Sequence, residues 1–487
     1  MDNMKKIRLI YLLWLVVLAT SCEDFLDLKP KDNLIKEEFW QNKEQVNTAI
    51  AACYASMNET GFMDKIIMWG ELRAEMLVSV KASGEQQNML KGFVLPTSSI
   101  VNWASFYKTI NYCNGVLAFA SDAQEKDPTF SEDQLKIYEG EALAIRALTY
   151  FFLVRNFKEV PLIVTATQSD QTNFYVKKEK ENIVIERIIE DLKTALIAIP
   201  VSYSKSVAYD KGRMTKGAVL ALLADVYLWN NQFDECIDAC SAIEKLNKFQ
   251  LVSGSKWFNE IFFAGNSDEG IFELQFSDLF GTLRNYFDMA NLTFKAYNGI
   301  QDLFGDVLFD ARANLATFDE NNNAVFKFAG KDPISGEYRS SQQFYNTWIF
   351  YRYADVLLMQ AEAYLYSLSR QNLDSAYTLI SNVHERATGT PLEPIISLTD
   401  LKESLLLERQ KEFAFEAKRW YDLLRFARRN NFEDQSLIID MALKKTGFDD
   451  YVEIMSYYSD TASYFLPIFQ GELNINPNLE QNPFYVK

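Results

Sequence analysis

Apolar residues recur at helical spacing over most of the chain. In LKIYEGEALAIRALTYFFLVRNF (135–157), Leu143, Ala147, Tyr150 and Val154 lie four, three and four residues apart, on one face of a helix. KGAVLALLADVYLWNNQFDECIDACSAIEKL (216–246) reads as helix, polar break, helix. Ala221, Ala224 and Tyr227 precede Asn230-Asn231-Gln232, and Phe233, Ile237 and Cys240 come after it. RYADVLLMQAEAYLYSLSRQNLDSAYTLISNV (352–383) repeats the plan: Leu358, Ala361, Tyr364 and Leu365, a break at Gln371-Asn372, then Ala376 and Ile380. Small residues through a first helix and an aromatic near its end suit the close packing of tetratricopeptide-like pairs. The pairs are not contiguous, so this is no simple solenoid. LKESLLLERQKEFAFEAKRWYDLLRFARR (401–429) predicts one long helix with Phe413, Ala417, Trp420, Leu424 and Ala427 as its buried stripe. Glu408–Lys411, Glu416–Arg419, Lys418–Asp422 and Asp422–Arg425 form a charged lattice at spacings of three and four.

Residues 251–350 read differently. DEGIFELQFSDLF has a strand-like centre, and Gly, Asn and Asp punctuate the residues after it. Aromatics are dense: Trp257, Phe258, Phe262, Phe263, Tyr286, Phe287, Phe294, Tyr297, Tyr338, Phe344, Tyr345 and Trp348. Binding surfaces tend to sit on such insertions, so some of these rings are expected to be exposed. The pattern predicts an all-α fold, helix pairs forming a scaffold with a smaller irregular, minor-β ligand-binding part. Its regions are 22–250, 251–350 and 351–487.

The amino terminus carries an export signal. Lys5, Lys6 and Arg8 precede an apolar run from Leu9 to Ala19, too short to span a bilayer core of about 30 Å as a helix. Ala19-Thr20-Ser21 runs into Cys22, and small residues before a cysteine resemble a bacterial lipobox. Residues 1–21 are then a signal peptide, and Cys22 is the lipid-bearing residue. Glu23, Asp24 and Asp27 resemble the acidic stretch that marks surface-exported lipoproteins in Bacteroidetes.

Composition narrows the functions. Formal net charge is −17 over 487 residues, so nucleic acid, which needs clustered Lys and Arg, is excluded as a partner. No second apolar run reaches membrane-spanning length, so the membrane is met through the lipid anchor only. Beyond Cys22, the cysteines are Cys53, Cys113, Cys236 and Cys240. With one histidine, His384, they read as small buried hydrophobes; no metal site and no cofactor are expected. Glu385 and Arg386 beside His384 read as a solvated helix end. Glu408, Glu412 and Glu416 share a helix with basic neighbours and read as ion-paired structure, not as catalytic acids.

Several blocks together resemble the SusD/RagB family of outer-membrane lipoproteins. CEDFLDLKPKDNL followed by EEFWQNKEQVNTAIAACYASM is similar to its amino-terminal signature. NWASFYKTINYCNGVL resembles its helix with Trp103, Tyr107, Ile110 and Asn114. GEALAIRALTYFFLVRNFKEVPLI matches its block with Arg146, Ala147, Tyr150, Val160 and Pro161. YRYADVLLMQAEAYL, ERQKEFAFEAKRWYDLLRFAR and the closing LPIFQGELNINPNLEQNPFY match its later blocks, with Phe469 and Phe484 where Pro and Gly are more usual. The resemblance implies four tetratricopeptide-like pairs. It also implies a lipoprotein facing the cell exterior on the outer membrane, over a SusC-like TonB-dependent transporter, that captures a nutrient, usually a glycan.

The family's pocket residues vary with ligand, so site residues must come from the chain itself. Sugars present apolar C–H faces, which rings with a few amide and carboxylate partners can bind. Two segments qualify: Trp69, Arg73, Glu75, Asn102 and Trp103 in one, and Trp257, Tyr297 and Trp348 in the other. No catalytic residue is singled out. A glycosidase would need two carboxylates roughly 5–10 Å apart in a cleft, and no signature marks such a pair. Peptide capture on the same architecture and a helical adaptor without a small ligand remain the other readings.

Overall fold

Side chains that accept free backbone N–H groups set the starts of several helices. Asn42 accepts from Gln45 at 3.0 Å to open α1 (Lys43–Asn58). After α2 (Ala104–Lys126), Ser131 opens α3 (Glu132–Phe157), accepting from Gln134 at 3.2 Å. α4 spans Glu181–Ala198. Thr215 caps α5 (Lys216–Trp229), and α6 (Phe233–Lys245) comes after a turn in which Asn231 takes the left-handed conformation. α7 is Tyr353–Tyr366. Asn372 caps α8 (Leu373–Thr388), which Gly389 ends at φ 77°. Ser397 caps α9 (Leu398–Glu412), and α10 is Arg419–Ala427.

The computed structural model describes residues 39–167, 175–276, 282–305, 309–332, 335–340, 347–446 and 451–486. The leader, Cys22, Phe344 and Tyr345 lie outside them. Helix makes up 61% and strand 6%, so the all-α expectation holds. α1 packs with α2, α3 with α4, α5 with α6 and α7 with α8, giving four helix pairs. α2 also packs on α3 and α6 on α7, which joins the pairs into one scaffold.

α3 departs from the one-face expectation. Every residue from Gly140 to Phe157 is buried, because α1, α2, α4 and α5 all pack against it. Arg146 sits at its centre. Its guanidinium meets Asp191 of α4 through two bonds of 2.8 Å and Asn114 of α2 at 2.7 Å, tying three helices with one side chain. The four cysteines of the described residues are free and buried.

The long helix expected over 401–429 is instead two helices. Residues 413–418 turn between α9 and α10, with Phe415 and Ala417 at φ 68° and 55°. Distant groups take over the hydrogen bonding there. Lys327 Nζ and Arg352 Nη2 donate to the Glu412 carbonyl at 3.0 and 2.8 Å, and Glu71 accepts from the Ala417 N–H at 2.7 Å. The break also redirects the charges. Asp422–Arg425 forms as expected at 2.9 Å, but Glu408 pairs with Arg312, Glu416 with Arg352 and Lys327, Lys418 with Asp355, and Arg419 with Glu75.

These pairs build a buried ionic cluster. Arg312, Arg352 and Arg386 converge on Glu412, while Arg352 also meets Glu269 at 2.6 Å. Burial opposes ionisation of Glu412, but the three guanidinium groups outweigh it and hold the carboxyl well below its usual range. The acids are ion-paired structure, as expected. The solvated helix end expected at Glu385 and Arg386 holds for Glu385, which is exposed, but Arg386 is tied to Glu269 at 2.9 Å, and His384 beside them contacts Glu408 at 3.2 Å.

Three two-stranded antiparallel sheets complete the fold: β1 (Leu77–Ser79) with β5 (Phe294–Ala296), β2 (Val160–Pro161) with β3 (Lys178–Glu179), and β4 (Gly270–Leu274) with β6 (Trp348–Arg352). Within 251–350, no ring of the aromatic set reaches full exposure among the described residues. Trp257, Phe262, Tyr286, Phe287, Phe294 and Trp348 are buried, and Phe258, Phe263, Tyr297 and Tyr338 are half-buried.

Candidate ligand-binding site

β1 pairs with β5 in the register Leu77–Ala296, Val78–Lys295 and Ser79–Phe294. That ladder joins the segment around 69–103 to the 251–350 insertion. The two stretches that carry the candidate residues therefore meet, but mostly through other side chains. Glu75 and Tyr297 come together: the Tyr297 N–H donates to the Met76 carbonyl at 3.1 Å. Glu75 pairs with Arg419 at 2.9 Å and accepts from Gln410 at 3.0 Å. Burial, helped by Glu75 and Asp302, pushes the Tyr297 hydroxyl up to about 12.

The tryptophans do not form a platform. Trp69 is fully buried, stacks on Phe106 at 4.8 Å and donates to the Ile100 carbonyl at 3.0 Å. Trp103 packs edge-on to Phe157. Trp257 lies in the ionic cluster, donating to Glu412 at 3.3 Å, and Trp348 stacks on Phe328. Arg73 also points inward: its guanidinium lies 3.8 Å over Trp420 and donates to Asn156 at 3.3 Å. Asn102, half-buried, precedes α2 and accepts from the Ala104 N–H at 2.8 Å. As placed, five of these side chains serve packing and local hydrogen bonding, because a buried ring has no free face to offer a ligand; Trp103, also buried, borders a separate cleft at the start of α2.

On the β1 side of the β1–β5 ladder, a cleft of about 390 Å³ lies between β1, the short helix Gly84–Leu90 and Lys445. Its floor is Leu77, Val78 and Leu90; Ser79 and Gln87 add a hydroxyl and an amide; Lys91 and Lys445 add ammonium groups. The helix is fixed by a capping box, in which Ser83 accepts from Gln86 N–H and the Gln86 side chain accepts from Ser83 N–H. Burial pushes Lys445 down to about 7 against the pull of Glu75, with Arg73 adding to the fall. Its Nζ donates to the Leu72 carbonyl. Sequence reading missed these residues. A lysine late in an amphipathic helix reads as solvated, and nothing local marks Lys445 as a neighbour of β1.

Two family models match successive parts of the chain: one described as starch-binding, associating with the outer membrane, over residues 24–228, and the SusD family over residues 312–485. SusD-like protein P38 of Formosa agariphila is 23% identical, over 87% of this chain and 92% of its own. A SusD-like protein of Bacteroides ovatus is 24% identical over 87% and 83%. Among solved structures, a SusD superfamily protein from Bacteroides vulgatus superposes with a TM-score of 0.75 at 23% identity, covering 92% of this chain and 100% of that one. A SusD homolog from Bacteroides thetaiotaomicron gives 0.71 at 23%, covering 92% and 99%. The chain belongs to the SusD family. The description of the first model associates this class with the outer membrane, and no described helix is long and apolar enough to cross a membrane.

Proposed function

We propose that this protein is a surface lipoprotein, anchored through Cys22, that captures a glycan at the β1–β5 cleft and passes it to a SusC-like TonB-dependent transporter. The observation that carries this reading is the cleft itself. β1, the Gly84–Leu90 helix and Lys445, which is far away in sequence, line it, and it combines apolar side chains with hydroxyl, amide and ammonium groups. Such a mixture suits a hydroxyl-rich ligand that also has C–H faces. The starch-binding description of the matching family model supports the ligand class. Binding without hydrolysis is the reading that fits a lining with no carboxylate among the described residues, whereas glycoside hydrolysis canonically uses two. With no ring in the lining among the described residues, affinity is expected between about millimolar and micromolar, weak enough for release to a transporter.

The test is affinity electrophoresis of the purified chain from residue 23 onward against a panel of neutral and acidic polysaccharides, with product analysis. Retardation without new reducing ends, reduced in Gln87→Ala and Lys445→Ala, is expected. Release of oligosaccharides, or retardation that neither variant changes, would overturn the reading.

A further inference from the structure

A second cleft, of about 420 Å³, lies where α2 begins, between Pro161, Ile163, Thr167 and Val176 on one side and the helix Gln470–Ile475 on the other. It shares no lining residue with the first. Hydrogen bonds from three sides fix its walls. Tyr107 donates to the Pro161 carbonyl at 2.7 Å, Asn111 accepts from Thr167 N–H at 2.9 Å, and Asn476 donates to the Val176 carbonyl at 2.8 Å. Within that frame the half-buried Tyr107 ring adjoins aliphatic side chains such as Ile110 and Ile163. Ile475, 69% exposed, stands at the rim.

The charge of this cleft is opposite to that of the first. Glu472 lines it, and among the described residues no Lys, Arg or His does. Among the described residues the Glu472 carboxylate has no ion pair; its side-chain partner is Trp103. Burial raises its carboxyl, and the Trp103 N–H partly offsets that. A half-buried, unpaired carboxylate beside an aromatic and aliphatic wall is costly unless a cationic donor arrives with its own apolar surface.

We propose that this cleft is a second ligand site and that it takes a hexosamine with a free amino group, its C–H face against Tyr107 and its ammonium on Glu472. The volume is within the usual range for small-ligand pockets. The cleft selects by charge: an N-acetylated sugar loses the ammonium, and a uronic acid brings a carboxylate to Glu472. This second site does not depend on the function proposed for the β1–β5 cleft.

Saturation-transfer NMR and calorimetry at pH 7 with a glucosamine disaccharide, its di-N-acetylated form and a galacturonic acid disaccharide test it. The amine form is expected to bind at least tenfold more tightly than either other probe. Glu472→Gln should weaken that binding at least tenfold. Ile475→Arg, a change at an exposed rim position that brings a cation to the cleft, should do the same in a folded protein. Lys445→Ala should leave it unchanged. Binding of the amine form within threefold of wild type in Glu472→Gln or Ile475→Arg would overturn the proposal. So would equal binding of the N-acetylated form, or no transfer to any probe at millimolar concentration.

Discussion

Glu71 accepts the backbone N–H of Ala417 at 2.7 Å across 346 residues of chain. The contact is buried, and it holds the turn that divides α9 from α10. Gly70 beside it is obligatory for steric reasons: a Cβ there would lie 2.4 Å from the Ala417 carbonyl oxygen.

This pair makes stability depend on pH. Burial raises the Glu71 carboxyl from 4.5 to about 8, although the Ala417 N–H and Lys327 oppose the rise. Between those values the folded chain binds more protons at Glu71 than the unfolded chain. The Glu71 contribution to stability therefore falls as pH rises through that window, by about 1.4 kcal/mol per unit at most. Glu71→Gln keeps the acceptor and removes the titration. Its urea midpoint is expected to match wild type near pH 5 and to exceed it at pH 8. An equal difference at both pH values would contradict the assignment.

Glu412 should matter for folding and not for binding. It is fully buried under Arg312, Arg352 and Arg386, so neutralising it takes one anionic partner from each of three buried guanidinium groups. Glu412→Gln is expected to cost about 3–5 kcal/mol in chemical denaturation. Affinity for any glycan should stay within a few-fold in the fraction that remains folded.

Trp420 separates packing from hydrogen bonding. It is 1% exposed, lies under Arg73, and its Nε1 has no acceptor among the described residues. Trp420→Ala should cost about 3–5 kcal/mol. Trp420→Phe keeps a ring and deletes an unpaired donor, so its cost should be below about 1.5 kcal/mol. Similar costs for the two variants would show that the indole N–H is the group that matters.

Periodicity was enough to find the scaffold. Leu143, Ala147, Tyr150 and Val154 are all buried, and the polar break at Asn230–Gln232 is a turn. Helix continuity through 413–418 was not legible, because what ends it is Lys327, Arg352 and Glu71, each far away in sequence. The tryptophans show a second limit. Trp69, Trp103, Trp257 and Trp348 are amphipathic residues in loop-like sequence, and only the packing of Phe106, Phe157, Phe262 and Phe328 around them reveals that they are core. Glu75 and Tyr297 were named separately; the β1–β5 register that joins them is a long-range pairing that no local signal encodes.

Lipidation rests on the Ala-Thr-Ser-Cys sequence at 19–22. Cys22→Ala is expected to abolish labelling by an alkyne fatty acid and to move the protein out of the membrane fraction. Labelling that persists in the variant would contradict the lipobox reading.

Isothermal titration of the chain from residue 23 onward with oligosaccharides cut from the polysaccharide that best retards it tests the central claim most directly. Wild type is expected to bind with a Kd between about millimolar and micromolar, without cleavage. Gln87→Ala, a change at an exposed position of the β1–β5 cleft, should weaken binding at least tenfold while leaving the denaturation midpoint in place. Undiminished binding in that variant and in Lys445→Ala would contradict capture at this cleft.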